Sequence, residues 1–132
     1  MDLLLISDQP LTVMALRAVL SRHEPIAQVA DASHLVEAMG LLSGPHAFRL
    51  IVLDLDTHGV RAVSTTALLR EMWPHLPMAL LASSPGDAAL VRSIDLGIRG
   101  CLPKAAPAAE LRAAFTRLLR GENLMPADCV EA

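Results

Sequence analysis

Short, unbroken apolar runs alternate with helix-like stretches five times along this chain of 132 residues. The clearest run is Leu50-Ile51-Val52-Leu53, and similar runs begin at Leu3 and Met78. Consecutive aliphatic residues without polar alternation predict strands that are buried on both faces. Such strands, with a helix between each pair, predict a parallel sheet covered by helices on both sides, which is an α/β fold.

The pattern also sets approximate boundaries for each element. Strands are predicted over residues 3–7, 26–30, 50–54, 78–81 and 100–103, and helices over residues 10–22, 34–42, 64–73, 87–96 and 107–120. Pro10 suits the first turn of a helix, Ser33 is a candidate N-cap, and Gly97 and Gly121 follow predicted helix ends. We therefore predict one domain over residues 1–121. Residues 122–132 have little periodicity and are interpreted as the start of a linker.

Composition excludes several classes of function. Apolar residues make up 53% of the chain but aromatic residues only 2%, which predicts an aliphatic core. No apolar run approaches the roughly 18 residues that would span a membrane, and no basic segment marks a signal peptide. The formal charge is −3 without a basic stripe, which disfavours direct nucleic-acid binding. Cys101 and Cys129 lack metal or redox spacing, so free thiols in a reducing cytoplasm are expected.

Polar side chains follow the predicted strands at their carboxyl ends. Asp8 follows the first strand, Asp54 ends the third, and Ser83 follows the fourth. Lys104, the only lysine in the chain, follows the fifth. Open α/β sheets place their ligand sites at this edge, so we expect these side chains to share one crevice. The carboxylates could bind a hard cation such as Mg²⁺.

Four motifs in this order resemble the receiver domains of response regulators, which have the CheY-like fold, and most closely those of the NarL/FixJ (LuxR-type) subfamily. The motifs are Ser7-Asp8-Gln9-Pro10-Leu11, Val52-Leu53-Asp54-Leu55, the segment from Gly97 to Lys104, and Pro107-Ala108-Ala109-Glu110-Leu111 with Arg120-Gly121-Glu122 after it. The resemblance covers nearly the whole chain. It implies a doubly wound, flavodoxin-like sheet of five parallel strands in the order 2-1-3-4-5.

The resemblance also implies a function and roles for residues. Asp54 would accept a phosphoryl group from a sensor histidine kinase, and Lys104 would contact the phosphoryl oxygens. Asp8, Asp54 and the backbone carbonyl of Asp56 would bind Mg²⁺. The chain would not be an enzyme beyond its own phosphorylation and dephosphorylation. In this subfamily the linker leads to a helix-turn-helix domain, absent here, through which alone DNA would be contacted to regulate transcription.

Three positions depart from the family pattern. Ser7 stands where the family has an acid, which predicts weak Mg²⁺ binding. Ala82 stands where the family has a switch threonine or serine, with Ser83 one residue later, and Cys101 stands where an aromatic residue is usual. Losing a hydrogen bond to a charged acceptor costs about 1.5–3 kcal/mol, so impaired transmission of phosphorylation is predicted.

Two alternatives remain open from the sequence. One is a phosphorylation-independent module for protein interaction, because the first helix has more apolar residues than one buried face needs and could support a homodimer. The other, more distant, is a phosphatase that forms an aspartyl phosphate, because Asp54-Leu55-Asp56-Thr57 resembles the Asp-x-Asp motif of haloacid-dehalogenase-type enzymes. That motif normally lies on the first strand of a longer chain.

Overall fold

The computed structural model describes residues 3–21, 28–58, 61–83 and 98–124, and over these residues the chain forms a sheet of five parallel strands. The strands are β1 (Leu3–Ile6), β2 (Val29–Ala32), β3 (Leu50–Asp54), β4 (Met78–Ala82) and β5 (Ile98–Pro103). They lie in the order β2-β1-β3-β4-β5, and each neighbouring pair is parallel. The predicted fold class and strand order are therefore confirmed.

Five helices accompany these strands in the described part of the chain. They are α1 (Pro10–Leu20), α2 (Leu35–Ser43), the single turn α3 (Leu55–His58), α4 (Ala62–Met72) and α5 (Ala108–Leu119). The helix predicted over residues 87–96 and its Gly97 cap lie outside the described residues. No helix among the described residues is long and apolar enough to cross a membrane.

Each face of the sheet carries its own apolar core. Alternate strand residues point to opposite faces, so Leu4 and Leu53 pack with α2 and α4, whereas Leu5 and Val52 pack with α1 and α5. Every residue of β3 is buried. Phe115, the only aromatic residue of α5, is fully buried against the second face. The central strand is thus enclosed by helices on both sides, which explains its unbroken apolar sequence.

Two departures from the predicted elements have local reasons. The second strand runs over Val29–Ala32 and extends two residues past its predicted end at residue 30, whereas the predicted residues 26 and 27 lie outside the described residues. Exposed Asp31 lies within this strand and pairs with Arg17 of α1. Helix α2 is capped by His34 instead of Ser33. The Nδ1 atom of His34 accepts a hydrogen bond from the backbone N–H of Glu37 at 3.2 Å. Side-chain acceptors at this position satisfy N–H groups that have no partner within the helix.

Helix α3 was not predicted, because a loop was expected directly after Asp54. The Oδ1 atom of Asp54 accepts a hydrogen bond from the backbone N–H of Asp56 at 3.0 Å. An aspartate that bonds the N–H two residues later promotes a turn at that point. The side chain of Asp54 therefore helps to fold the segment that carries Asp56 and Thr57.

The chain after α5 returns to the sheet. Gly121 has a φ of 87°, and the N–H groups of Gly121 and Glu122 bond to Leu118 and Arg117 at 3.0 and 3.1 Å. This is the hydrogen-bond pattern of a helix closed by glycine, as predicted. Leu124 then forms a parallel bridge with Gly100 of β5. The first residues of the predicted linker therefore contact the edge strand of the domain.

Candidate functional site

Asp54 is a fully buried carboxylate at the C-terminal end of the central strand β3. Its Oδ2 atom accepts a hydrogen bond of 2.6 Å from the hydroxyl of Ser7, which follows β1. Its Oδ1 atom accepts the backbone N–H of Asp56 and lies 2.7 Å from the ammonium nitrogen of Lys104. A buried charge needs such partners, because desolvation without them is costly.

Lys104 provides the positive charge of the site. It follows β5, and its backbone N–H bonds to the carbonyl of Ala82 at 3.1 Å, which extends the pairing of β5 with β4. The ammonium nitrogen lies 2.7 Å from Asp54, 2.8 Å from Asp56 and 3.1 Å from the side-chain oxygen of Gln9. Burial lowers the pKa of Lys104, but the hydrogen bonds and charges of the two aspartates outweigh it, so the pKa is raised.

Asp56 lies beside Asp54, shares Lys104 with it and has one further side-chain contact, with Ser83. Its Oδ2 atom receives the Lys104 ammonium at 2.8 Å and the hydroxyl of Ser83 at 2.6 Å. The hydrogen bond from Lys104, then that from Ser83, holds the pKa of Asp56 below its usual value although burial opposes this. The strand ends of β3, β4 and β5 are thereby linked through three side chains.

Asp8 faces a different group. Its side chain is exposed, and its Oδ1 atom accepts a hydrogen bond of 2.9 Å from the hydroxyl of Thr57 in α3. The same hydroxyl accepts the backbone N–H of Asp8 at 3.0 Å. Thr57 and Gln9 were not identified from the sequence as site residues. Their one signal is their position next to predicted site residues, Gln9 after Asp8 and Thr57 after Asp56.

The atypical switch positions lie where the sequence placed them. Ala82 ends β4 and Cys101 lies in β5; both side chains are buried and pack in the same apolar core. Neither offers the hydroxyl or ring that the family pattern would place there. Ser83 directly follows β4, and its hydroxyl donates a hydrogen bond to Asp56.

The predicted Mg²⁺ ligands can be tested against this geometry. Mg²⁺ requires nearly octahedral oxygen ligands. Among the described residues, no group of three or more histidine, cysteine, aspartate or glutamate side chains is arranged to hold a metal ion. Lys104 already bridges Asp54 and Asp56, and Ser7 binds the remaining Asp54 oxygen. The arrangement does not fit Mg²⁺ as it stands, because a divalent ion would have to displace the ammonium.

The pKa shifts predict how stability depends on pH. Asp56 has a lowered pKa, so its contribution is present above its unfolded value of 3.8 and is lost as the pH falls below that value. Lys104 has a raised pKa, so its contribution is present below 10.5 and is lost as the pH rises beyond that value. Between the two limits, the contribution of these two groups to the free energy of unfolding in urea should be constant. Asp56→Asn should reduce the acid-side slope, and an unchanged slope would contradict the Asp56 pairing.

The fold and the site together define an α/β protein with a buried, lysine-paired aspartate at the carboxyl edge of its sheet. Residues 3–116 match the family model described as the response regulator receiver domain. The chain belongs to that family, the receiver domains of two-component response regulators. Receiver domains generally bind Mg²⁺ at an acidic pocket.

Individual relatives agree with this assignment. The glycerol metabolism activator of Pseudomonas putida is 24% identical over 128 residues, which cover 97% of this chain. The match spans 58% of that relative's length.

Solved structures of LuxR-family response regulators share the fold. One from Aurantimonas sp. SI85-9A1 has a TM-score of 0.81 at 24% identity, covering 98% of this chain and 92% of that one. A DNA-binding regulator from Silicibacter pomeroyi has a TM-score of 0.78 at 23% identity, covering 96% and 98%. The isolated receiver domain of RcsB from Salmonella enterica serovar Typhimurium, with a phosphomimetic, has a TM-score of 0.79 at 20% identity, covering 99% and 96%.

Proposed function

We propose that this domain accepts a phosphoryl group on Asp54 from a sensor histidine kinase and thereby regulates an attached transcriptional output. The observation that carries the proposal is the position of Asp54: a carboxylate at the tip of the central strand, in contact with Lys104. The related regulators support the output, since one is named an activator and another a DNA-binding regulator. A cytoplasmic location, a domain over residues 1–121 and a linker over residues 122–132 are part of the same proposal.

The proposed reaction is a phosphoryl transfer to a carboxylate. An oxygen of Asp54 attacks the phosphorus of the phosphohistidine, the phosphorus–nitrogen bond breaks, and the imidazole nitrogen keeps the electron pair and takes up a proton. The product is an acyl phosphate. Positioning and charge neutralisation are the main contributions a protein makes to such a transfer, and Lys104 would neutralise charge on the phosphoryl oxygens. Because Asp54 is fully buried, Lys104 or its surroundings must move before the donor can reach it.

Acetyl phosphate tests the proposal without a kinase. The protein is incubated with acetyl phosphate and MgCl₂, and its intact mass is measured over time. We expect the mass to rise by one phosphoryl group, and hydroxylamine, which attacks the acyl carbon of an acyl phosphate, to release phosphate and leave a hydroxamate in place of the carboxylate. No rise at any donor concentration would contradict phosphorylation of this domain.

Mg²⁺ is proposed to bind weakly, in the millimolar range or above, because Ser7 replaces an acid and Lys104 occupies the carboxylates. Ser7 is buried and directly contacts Asp54, so Ser7→Asp adds a third carboxylate at the same point. We expect this substitution to tighten Mg²⁺ binding about tenfold in calorimetry. Ser21→Asp, an exposed change at the end of α1, is the matched control and should leave the affinity unchanged. Equal affinities in wild type and Ser7→Asp would place Ser7 away from any bound metal.

Transmission of phosphorylation is proposed to be impaired, because Ala82 and Cys101 lack the usual switch groups. In NMR spectra with a beryllofluoride mimic, we expect shifts around Asp8, Asp54, Ser83 and Lys104 that fade before α5. Ala82→Thr should extend them, since it restores a hydroxyl at the end of β4. Large shifts across α5 in the unmodified sequence would show that the domain signals by another route.

The comparisons do not favour a phosphorylation-independent interaction module, but self-association through the first helix stays a proposal that one observation on α1 supports. Leu11 and Met14 are 80% and 65% exposed, although both are large apolar residues. We propose that they support a homodimer. Sedimentation velocity should show that Met14→Glu weakens self-association, whereas Met72→Glu, at an exposed methionine of α4, does not. A monomer at all concentrations would contradict this role.

A further inference from the structure

The two groups that could bind a phosphoryl group on Asp54 are already bound to another carboxylate. Lys104 and Ser83 both contact the Oδ2 atom of Asp56, at 2.8 and 2.6 Å. An ammonium and a hydroxyl on one anionic oxygen is also the arrangement that a phosphoryl oxygen would need. Asp56 therefore presents an anion of its own at the place where phosphorylation would introduce one.

The local structure holds the carboxylate of Asp56 in contact with Lys104 and Ser83. Its backbone N–H bonds to Asp54, which starts the helical turn α3 and aims the segment towards β4 and β5. Ser83 directly follows β4, and Lys104 directly follows β5. The contacts of Asp56 thus link the ends of three neighbouring strands, β3, β4 and β5.

We propose that the carboxylate of Asp56 is a built-in competitor for the phosphoryl-binding groups of this domain. The proposal rests on Asp54 as the phosphoacceptor. In the unphosphorylated protein Asp56 shares Lys104 with Asp54 and accepts the hydroxyl of Ser83, so a phosphoryl group on Asp54 has to compete with its carboxylate for both donors. Phosphorylation is therefore opposed by an anion that resembles its own product, and Asp56 sets how readily the domain responds to a phosphodonor.

The size of the effect follows from the contacts that would be released. One hydrogen bond between a charged donor and a charged acceptor changes an equilibrium constant by roughly ten- to a hundredfold. Lys104 keeps its contact with Asp54 when Asp56 is neutral, so we expect a change near the lower, tenfold end of this range. A different role for Asp56, that of positioning Lys104 for the reaction, predicts the opposite sign, since its loss would then slow phosphorylation.

The test compares the rate of phosphoryl uptake from acetyl phosphate in wild type, Asp56→Asn and Asp56→Ala, by intact mass. Uptake should be about tenfold faster in both variants. Asp31→Asn is the matched control, because it removes one exposed carboxylate from β2, with β1 between it and β3, and it should match wild type.

The outcomes separate the two proposals. Uptake in wild type at a rate equal to or above that of both Asp56 variants would overturn the competitor role and leave Asp54 as the phosphoacceptor. Uptake that rises equally in Asp31→Asn would assign the effect to net charge, which also overturns it. No uptake in any of the four proteins would contradict the proposed function, and the competitor role with it. Thermal unfolding of each variant confirms that folded proteins are compared.

Discussion

Replacing Lys104 by methionine should lower the free energy of unfolding by about 3 kcal/mol at neutral pH. Methionine keeps most of the length of the side chain but leaves the buried Asp54 without a cation. Removing one partner of a buried ion pair typically costs about 3–5 kcal/mol, because the remaining charge is uncompensated. The lower figure applies here, since Ser7 and the N–H of Asp56 still bond to Asp54. Urea unfolding gives the value directly.

A double-mutant cycle separates the ion pair from the packing of the lysine stem. In an Asp54→Asn background, Lys104→Met should cost about 1 kcal/mol or less, because no buried charge is left without a partner. Lys104 also contacts Asp56, so a small residual cost is expected. Equal losses in the two backgrounds would mean that the lysine stabilises the fold through its packing or through Asp56, and that its charge is not matched to Asp54.

Asp54→Asn should abolish phosphorylation completely. The amide oxygen of asparagine carries no negative charge and is a poor nucleophile, so no acyl phosphate can form. The change is nearly isosteric, and the fold should be retained. Intact mass after incubation with acetyl phosphate is the measurement, and Asp31→Asn, the same chemical change on an exposed residue of β2, should still be modified. Modification that persists in Asp54→Asn would place the phosphoacceptor elsewhere.

The sheet could be predicted from the sequence because each buried strand is an unbroken apolar run. Residues 50–54 match β3 at both ends, since its apolar run begins at Leu50 and is closed by Asp54. β2 is less regular, because it lies at the edge of the sheet and carries the exposed Asp31. Its predicted end at residue 30 was consequently two residues short of Ala32. Gly121 was predicted correctly as the end of α5, since a positive φ favours glycine.

The sequence predicted which residues lie near the candidate site, but not which of them contact one another. Parallel strands bring their carboxyl ends to one edge, which was sufficient to place Asp54, Lys104 and Ser83 near each other. That Lys104 bridges two aspartates, and that Ser83 bonds to Asp56, depends on side-chain directions to within about an ångström. Helix α3 was missed for a related reason: it depends on a hydrogen bond from the N–H of Asp56 to the side chain of Asp54, which no periodicity reveals.

Locating the phosphoryl group by chemical means tests directly whether Asp54 is the phosphoacceptor. After incubation with acetyl phosphate, borohydride reduces an acyl phosphate of aspartate to homoserine, and peptide sequencing by mass spectrometry locates the converted residue. We expect homoserine at residue 54 and unaltered aspartates at residues 8, 31 and 56. Homoserine at residue 8 or 56 instead, or at no position while the intact mass has risen, would contradict Asp54 as the phosphoacceptor of this receiver domain.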